Sequence, residues 1–600
     1  MTDAALPSPA VHAWQRPRTP HGLGQPWRLE LFHIGMWLFA LLVILRLGML
    51  QILDHDTYAA LAEGQHTLFR QLYPTRGQIL MHDGTDGALV PVAMNQTLSF
   101  IYADPRAVKD PAATAKAVGV ALGFDQAKID DLTQRLSKPH DAYEPIQRHV
   151  GTDAADALNA LKLPGILQTD EDARLYPDPS LGGHVVGFVG SNADGSLSGR
   201  YGIEGYFDKV LAGTPGFIRS EKDISGRLLA IGDSSITPAV NGSDVVLTID
   251  RPIQYEACTA LRKAIADHQA DGGSVVILEP STGRILAMCG APDFDPNAYG
   301  SVPDVSVFNN PVIFDAYEPG SVFKAITVAA GLDSGAITPA STYDDAGFVK
   351  IGKYTIRNAE GGARGTTTMT TALDQSLNLG MIAAMRKMGA SVFTDYVKRF
   401  GFGQTTGVEL DTESPGDISA LVGHPNDEIY AATASFGQGV SVTTLQMAAA
   451  YAAIADGGIL RKPYIVDEIE HPDGTVEREH PTDVRRVVDQ RTATVLSAML
   501  VDVVENGLGK RAAVPGYYIA GKTGTAQVAS KTHAGYSATD TIGSFAGFGP
   551  VEDPKFAMVV RIDHPRDVDW AESTAGPLFG QISSFLLKYM DVPPTRAVKP

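Results

Sequence analysis

Cysteine is nearly missing: Cys258 and Cys289 are the two in 600 residues. So few cannot build a disulfide framework. They read as two free buried thiols, with a single bridge left open. A basic surplus is missing too. Lysine and arginine number 49 against 68 aspartates and glutamates, a net charge of −19, so nucleic acid is not expected as a partner. There is no short-period repeat, no long low-complexity tract, and no G-x-S-x-G elbow of the α/β-hydrolase kind. What is present is ordinary globular composition, 44% hydrophobic and 20% charged. The chain is too long for one hydrophobic core, so two or more domains are expected.

One apolar run stands out, residues 31–53, in which Arg46 is the one formally charged residue. At roughly 1.5 Å per residue, a helix of this length can cross a bilayer. The run is long for a signal-peptide core and no small-x-small cleavage site follows it, so a retained anchor is expected. Arg16, Arg18 and Arg28 precede it, and Asp54, Asp56 and Glu63 follow. That asymmetry makes residues 1–30 a cytoplasmic tail, 31–53 a single transmembrane helix and the rest extracytoplasmic. Arg46 costs on the order of 2.5–3.5 kcal/mol in lipid; it lies near the outer end, where it either snorkels or meets another membrane protein.

Residues 65–240 alternate short strand-like pieces (Gly77 to Leu80, Leu98 to Tyr102) with a helical region over 110–136, and carry no catalytic cluster. They read as a non-catalytic pedestal. Residues 244–250 form a strand leading into a second domain, 244–590, of clear α/β (α+β) texture. There a helix over 252–268 precedes strands 273–278 and 284–289, helical stretches fill the middle, and strands 544–549 and 556–562 and a helix over 578–589 close the chain. Early and late strands around a helical centre predict one sheet assembled from both ends.

The chemistry concentrates in three places. Glu318-Pro319-Gly320-Ser321-Val322-Phe323-Lys324 runs into an apolar stretch, which puts Ser321 at a helix start. Lys324, three residues on, shares its face, so the amine can reach the hydroxyl. Alone, an N-cap serine explains this as well. Ser376-Leu377-Asn378 lies in a second helix-like segment, and Lys522-Thr523-Gly524 precedes strand-like Thr525-Ala526-Gln527-Val528. Singly, these are surface polars and a strand lysine; together and in this order they form a serine acyl-transfer signature. Gly516 to Thr523 also spells G-x-x-x-x-G-K-[ST]. A phosphate loop must follow a strand and open a helix; here a polar turn precedes it and a strand follows, so nucleotide binding is rejected.

With these residues in place, the chain resembles the class B penicillin-binding proteins, monofunctional peptidoglycan transpeptidases, from residue 31 onward. Arg76-Gly77-Gln78-Ile79-Leu80, Tyr201-Gly202-Ile203-Glu204-Gly205-Tyr206-Phe207-Asp208, Asp293-Phe294-Asp295-Pro296-Asn297 and Ser435-Phe436-Gly437-Gln438-Gly439 match the family as well. The wording around Ser321 and in Ser544-Phe545-Ala546-Gly547-Phe548 is closer to the division-type branch than to the elongation type. Trp570-Ala571-Glu572-Ser573 departs from a common glycine pair. The resemblance implies an antiparallel sheet flanked by helices, a pedestal of the dimerisation type, and β-lactam binding. Ser321 is the expected nucleophile and Lys324 its base, neutral through burial or the nearby charge of Lys522. Lys522, Thr523, Gly524 and Thr525 would hold the terminal carboxylate of a D-Ala-D-Ala stem peptide. Asn378 would orient Lys324 and the substrate amide, Ser376 would pass a proton to the departing D-Ala, and the N–H groups of Ser321 and Thr525 would form the oxyanion hole. No cofactor and no metal is called for. A β-lactamase would need a deacylation base, which is not identifiable in the sequence; a β-lactam sensor would not need every catalytic residue type. No Glu-Asp-x-x-Phe-x-x-His stretch of the glycan-polymerising relatives occurs before residue 250. The resemblance therefore implies a SEDS-type glycosyltransferase, with other divisome proteins, as partner.

Overall fold

The computed structural model describes residues 26–55, 67–84, 86–192, 196–221, 234–529, 536–568 and 570–597. Arg16, Arg18, Asp56 and Glu63, on which the orientation of the anchor rests, lie outside them. The chain divides into two units, Met1–Leu72 with Gly216–Pro238 and Tyr73–Pro215 with Ala239–Pro600. The first contains a helix, Pro26–Gly48, continued by a π-helical stretch, Met49–Leu53, and an antiparallel sheet of Thr67–Leu72, Gly216–Glu221 and Ser234–Thr237. Its segment Leu29–Leu53 is 25 residues long, apolar enough to cross a membrane, and packs against no protein core. An apolar helix without a protein partner suits lipid.

In the second unit, the helical stretch expected over 110–136 is two helices, Pro111–Leu122 and Gln126–Leu136. Gly123 turns the chain at φ 69°, and the Asp125 carboxylate accepts the Lys128 N–H at 2.8 Å to cap the next helix. Both helices pack through Val118 and Leu132 on Ile101 of the long strand Leu89–Ala103. Nearby, Glu204 is fully buried and accepts from Arg76 Nε at 2.8 Å and Arg174 Nε at 2.7 Å, while Arg76 Nη1 reaches Asp208 at 2.8 Å. Two stretches that look unrelated in the sequence, Arg76-Gly77 and Tyr201 to Asp208, are thus halves of one ion cluster.

Strand Asp244–Asp250 pairs in parallel with Ile79–His82 and antiparallel with Val466–Glu470. A single sheet therefore draws strands from both sides of residue 250. The following sheet is built from β1 (Gly272–Leu278), β2 (Ile285–Ala291), β3 (Ala520–Ala529), β4 (Tyr536–Gly549) and β5 (Phe556–Asp563). It is antiparallel throughout, in the order β2-β1-β5-β4-β3, the assembly from both ends that the strand pattern predicts. Its helices are α1 (Arg251–Asp267), α2 (Lys324–Asp333), α3 (Asn378–Met388), α4 (Thr444–Ala455), α5 (Gln490–Glu505) and α6 (Ala575–Tyr589). Alternation along the strands explains the layering. Val275, Ile277, Val560 and Ile562 share a core with α1 and α6, whereas Val276, Leu278 and Val559 share one with α4. Helix α4 is apolar on all sides and central, and a capping box between Thr443 and Gln446 starts it.

One expectation is corrected here. Cys258 of α1 and Cys289 of β2 are joined in a disulfide with Cα atoms 5.3 Å apart. The free-thiol reading rested on cysteine being a small apolar core residue. Both are indeed buried, but α1 lies directly on β2 and brings the two side chains together. A spacing of 31 residues carries no sign of that contact.

Replacing Glu204 by Gln leaves the buried Arg174 guanidinium against a neutral amide, with Arg76 keeping only Asp208. Losing one partner of a buried ion cluster typically costs about 3–5 kcal/mol. A clear fall in the thermal midpoint of the detergent-solubilised protein is expected; an unchanged melt would mean the cluster contributes nothing.

Candidate active site

Ser321 sits in a 3-10 turn, Gly320–Phe323, and Lys324 opens α2. The serine caps no helix, so the simplest alternative reading of this stretch fails. The turn is clamped from both sides. Gly320 N–H donates to Gly437 O at 3.0 Å, the Glu318 carboxylate accepts the Gly439 N–H at 3.0 Å, and Tyr451 OH donates to Val322 O at 2.8 Å. Gly437 holds φ 80°, and a Cβ there would lie 2.1 Å from Gly320 O. Only glycine lets this loop come so close. The Ser435-Phe436-Gly437-Gln438-Gly439 stretch is therefore the backing of the Ser321 turn.

Lys324 has no exposed surface. Its Nζ donates to Ser376 O at 2.5 Å and to Ser376 Oγ at 3.2 Å. Burial first, and the charge of Lys522 second, hold its pKa well below the usual lysine value. The stretch expected to be helical around Ser376 is instead a break between the helix Met369–Asp374 and α3. Leu377 N–H donates to Ala372 O at 2.8 Å and closes the first helix, with Ser376 at φ 55° in the place usually taken by glycine. A serine in the left-handed region is uncommon. Here that conformation turns both its carbonyl and its hydroxyl toward one amine.

Asn378 opens α3, but its Nδ2 donates to Arg357 O at 2.9 Å; no hydrogen bond joins it to Lys324 among the described residues. Lys522, on β3, is fully buried and donates to Thr523 O at 3.0 Å and Thr523 Oγ1 at 3.2 Å. Burial lowers its pKa to about 7, and Asp374 pulls against that shift. Gly524 is required by packing, since a Cβ would lie 2.9 Å from Pro319 O and 2.8 Å from Ser544 Oγ. The Thr525 hydroxyl accepts the Ala571 N–H at 3.1 Å, which leaves its own proton free for a ligand. Lys522 and Thr523 lie in mid-strand, not at the head of a helix, so the phosphate-loop spelling has no structural counterpart.

Ser321, Ser376, Thr523 and Thr525 all line one open cleft of about 230 Å³, beside the outer edge of the sheet where β3 runs. Lys324 and Lys522 lie beneath it. Sequence reasoning missed Asn358 on its wall, whose side chain accepts the Leu379 N–H at 3.1 Å and donates to Asp345 at 2.9 Å. It also assigned no role to Trp570 and Glu572 at the cleft. A single asparagine or glutamate in a loop has no spacing pattern by which to be found.

The chain matches the Penicillin binding protein transpeptidase domain over residues 273–584 and the Penicillin-binding Protein dimerisation domain over residues 71–247. It is 33% identical over 572 residues to stage V sporulation protein D of Bacillus subtilis, covering 93% of this chain and 86% of that one. To peptidoglycan D,D-transpeptidase FtsI of Escherichia coli it is 32% identical over 579 residues, covering 95% and 92%. Among solved structures it is similar to penicillin binding protein 3 of Mycobacterium tuberculosis complexed with aztreonam. The TM-score is 0.66 and the identity 27%, with 88% of this chain and 100% of the other covered.

Proposed function

The chain belongs to the class B penicillin-binding proteins and is a peptidoglycan D,D-transpeptidase, and on that premise we propose how its residues divide the reaction. The observation that carries the proposal is the environment of Lys324: a buried amine, one helical turn from Ser321, with only the carbonyl and hydroxyl of Ser376 as hydrogen-bond partners among the described residues. A neutral amine there accepts the Ser321 proton as Oγ attacks the penultimate D-Ala carbonyl of a stem peptide. The N–H groups of Ser321 and Thr525 hold the oxyanion. The proton travels by Ser376 to the nitrogen of the terminal D-Ala, the C–N bond breaks, and D-Ala leaves. An amine of a second stem peptide then attacks the Ser321 ester, forming the cross-link and freeing the serine.

Lys522, Thr523 and Thr525 receive the terminal carboxylate, with Gly524 letting the strand lie against the nucleophile turn. An incoming carboxylate favours the charged form of Lys522, so its proton is secured as substrate binds. Asn378 orients the substrate amide after its side chain leaves Arg357 O. β-Lactams follow the same path and stall at the ester.

The apolar helix serves as an inner-membrane anchor with residues 1–30 in the cytoplasm and the catalytic domain outside. The Cys258–Cys289 bridge supports that side, since structural disulfides persist in oxidising compartments. The proposed role is septal, division-type cross-linking beside a SEDS-type glycosyltransferase and other divisome proteins, with Arg46 as the contact within the membrane.

A fluorescent penicillin should label Ser321 alone, as read by peptide mass mapping. Lys324→Ala should slow that acylation by about 10²–10⁴-fold, the usual worth of a general base. Lys522→Arg, which keeps the cation, should mainly raise the concentration needed for half-saturation. Equal loss of the limiting rate in both variants would contradict the division of roles. For the membrane contact, residues 29–53 can be exchanged for an unrelated single-pass helix. Loss of co-purification with the glycosyltransferase is expected, and its persistence would reduce the helix to a tether.

A further inference from the structure

Trp570-Ala571-Glu572-Ser573, the stretch that departs from a common glycine pair, forms a part of the cleft to which the reaction scheme gives no task. Its backbone is fixed. Ala571 is fully buried, its N–H donates to Thr525 Oγ1 at 3.1 Å, and its carbonyl accepts from Gly576 at 2.9 Å and from Thr574 at 3.3 Å. Ser573 N–H donates to Trp570 O at 3.0 Å. A tight turn ahead of α6 thus anchors the two residues that flank Ala571 beside β3. Both of them, Trp570 and Glu572, line the same cleft as Ser321, and the indole of Trp570 is exposed.

Two glutamates line the cleft, Glu360 and Glu572. Glu360 already has a cation, Arg364, whose Nη2 lies 3.0 Å away. The half-buried side chain of Glu572 makes no hydrogen bond or ion pair among the described residues. The lysines of the site do not serve it: both are fully buried, and their amines donate to Ser376 and to Thr523. A carboxylate without a partner and an exposed indole, side by side in a concave site, are two features that receive an organic cation. The carboxylate offers charge-assisted hydrogen bonds, and the indole face attracts a cation more strongly than other aromatic rings do. The same carboxylate repels an anion, which leaves the terminal carboxylate of the substrate to Lys522, Thr523 and Thr525.

We propose that Glu572, together with the Trp570 indole, is the cleft's receptor for a primary ammonium group of a stem peptide, and so a specificity-determining residue of the cross-linking reaction. The proposal rests on the transpeptidase reading of the cleft. A cross-link made through an amine requires an acceptor peptide that carries one, and a donor peptide of the same kind carries its own copy. The ammonium therefore arrives on either peptide, and its chemistry is the same. A glycine at position 572 has no charge to offer, so this chain distinguishes an amine-bearing peptide from a capped one where a glycine pair does not.

The test uses Glu572→Gln, which keeps the size of the side chain and removes its charge, in the full-length protein in detergent. In the donor arm, two penicillins share one acyl chain, ended by a primary amine or by its N-acetyl amide, and compete against a fluorescent penicillin for Ser321. In the acceptor arm, the acyl-enzyme made from a D-alanyl thioester partitions between water and a stem peptide with a free side-chain amine. Loss of a partly exposed ion pair should lower one of two ratios by roughly threefold to fivefold. These are the acylation rate of the amine-bearing penicillin over the acetylated one, and the cross-linked product over the hydrolysed one. The arm that moves identifies the peptide. In the unaltered protein the preference should fade in about 1 M salt, and Glu572→Asp should restore most of it to the variant. No change in either ratio would overturn the proposal. Equal slowing of both penicillins would overturn it as well, by reducing the turn to a support for Thr525. If neither penicillin forms an ester on Ser321 of the unaltered protein, the transpeptidase reading fails first and the proposal with it.

Discussion

Two lysine amines without any exposed surface share the floor of one cleft, and each is made less basic by the place it occupies. An isolated charge is costly to bury, and a second like charge nearby raises that cost. The arrangement holds because the surrounding protein leaves no better option. Ser376 supplies two oxygens to Lys324 from a left-handed backbone. Gly524 allows β3 to lie directly against the Ser321 turn. Gly437 presses the turn from the other side. Each detail keeps the amines buried and in place, and on the proposed scheme Lys324 serves as a base without a histidine.

The Ser321, Ser376 and Lys522 stretches stand out in the sequence because acyl-transfer chemistry asks for particular residue types in a fixed order. In the structure Ser321, Ser376 and Thr523 line one cleft, and Lys324 donates to Ser376. The antiparallel sheet built from both chain ends was visible in the two groups of β-branched strands. What could not be read depends on contacts between distant segments. The break that gives Ser376 its backbone conformation sits in a stretch of helix-forming residues without glycine or proline. The disulfide follows from α1 lying on β2; the helix break at Gly123 is a different case, a local glycine and aspartate cap that the broad helical pattern overrode.

The pedestal is more closely tied to the catalytic part than a spacer would be. Strand Asp244–Asp250 is shared by a sheet that takes Ile79–His82 from one side and Val466–Glu470 from the other. Asn297 exchanges hydrogen bonds with the backbone of Tyr176 at 2.9 and 3.0 Å, and so fastens the Asp293 to Asn297 stretch to the pedestal. Continuous hydrogen bonding of this kind transmits displacement better than a flexible linker, because packed elements rearrange in discrete steps.

The central claim is that Lys324 is uncharged before substrate arrives. Its ionisation can be followed directly by NMR of the labelled lysine side chain, assigned through the Lys324→Arg variant, across a pH titration of the ligand-free protein. The account predicts a neutral amine throughout the physiological range, with charge appearing only well below the ordinary lysine value of 10.5. A resonance that stays in the charged form up to pH values near 10 would contradict it, and the proton from Ser321 would then need another acceptor.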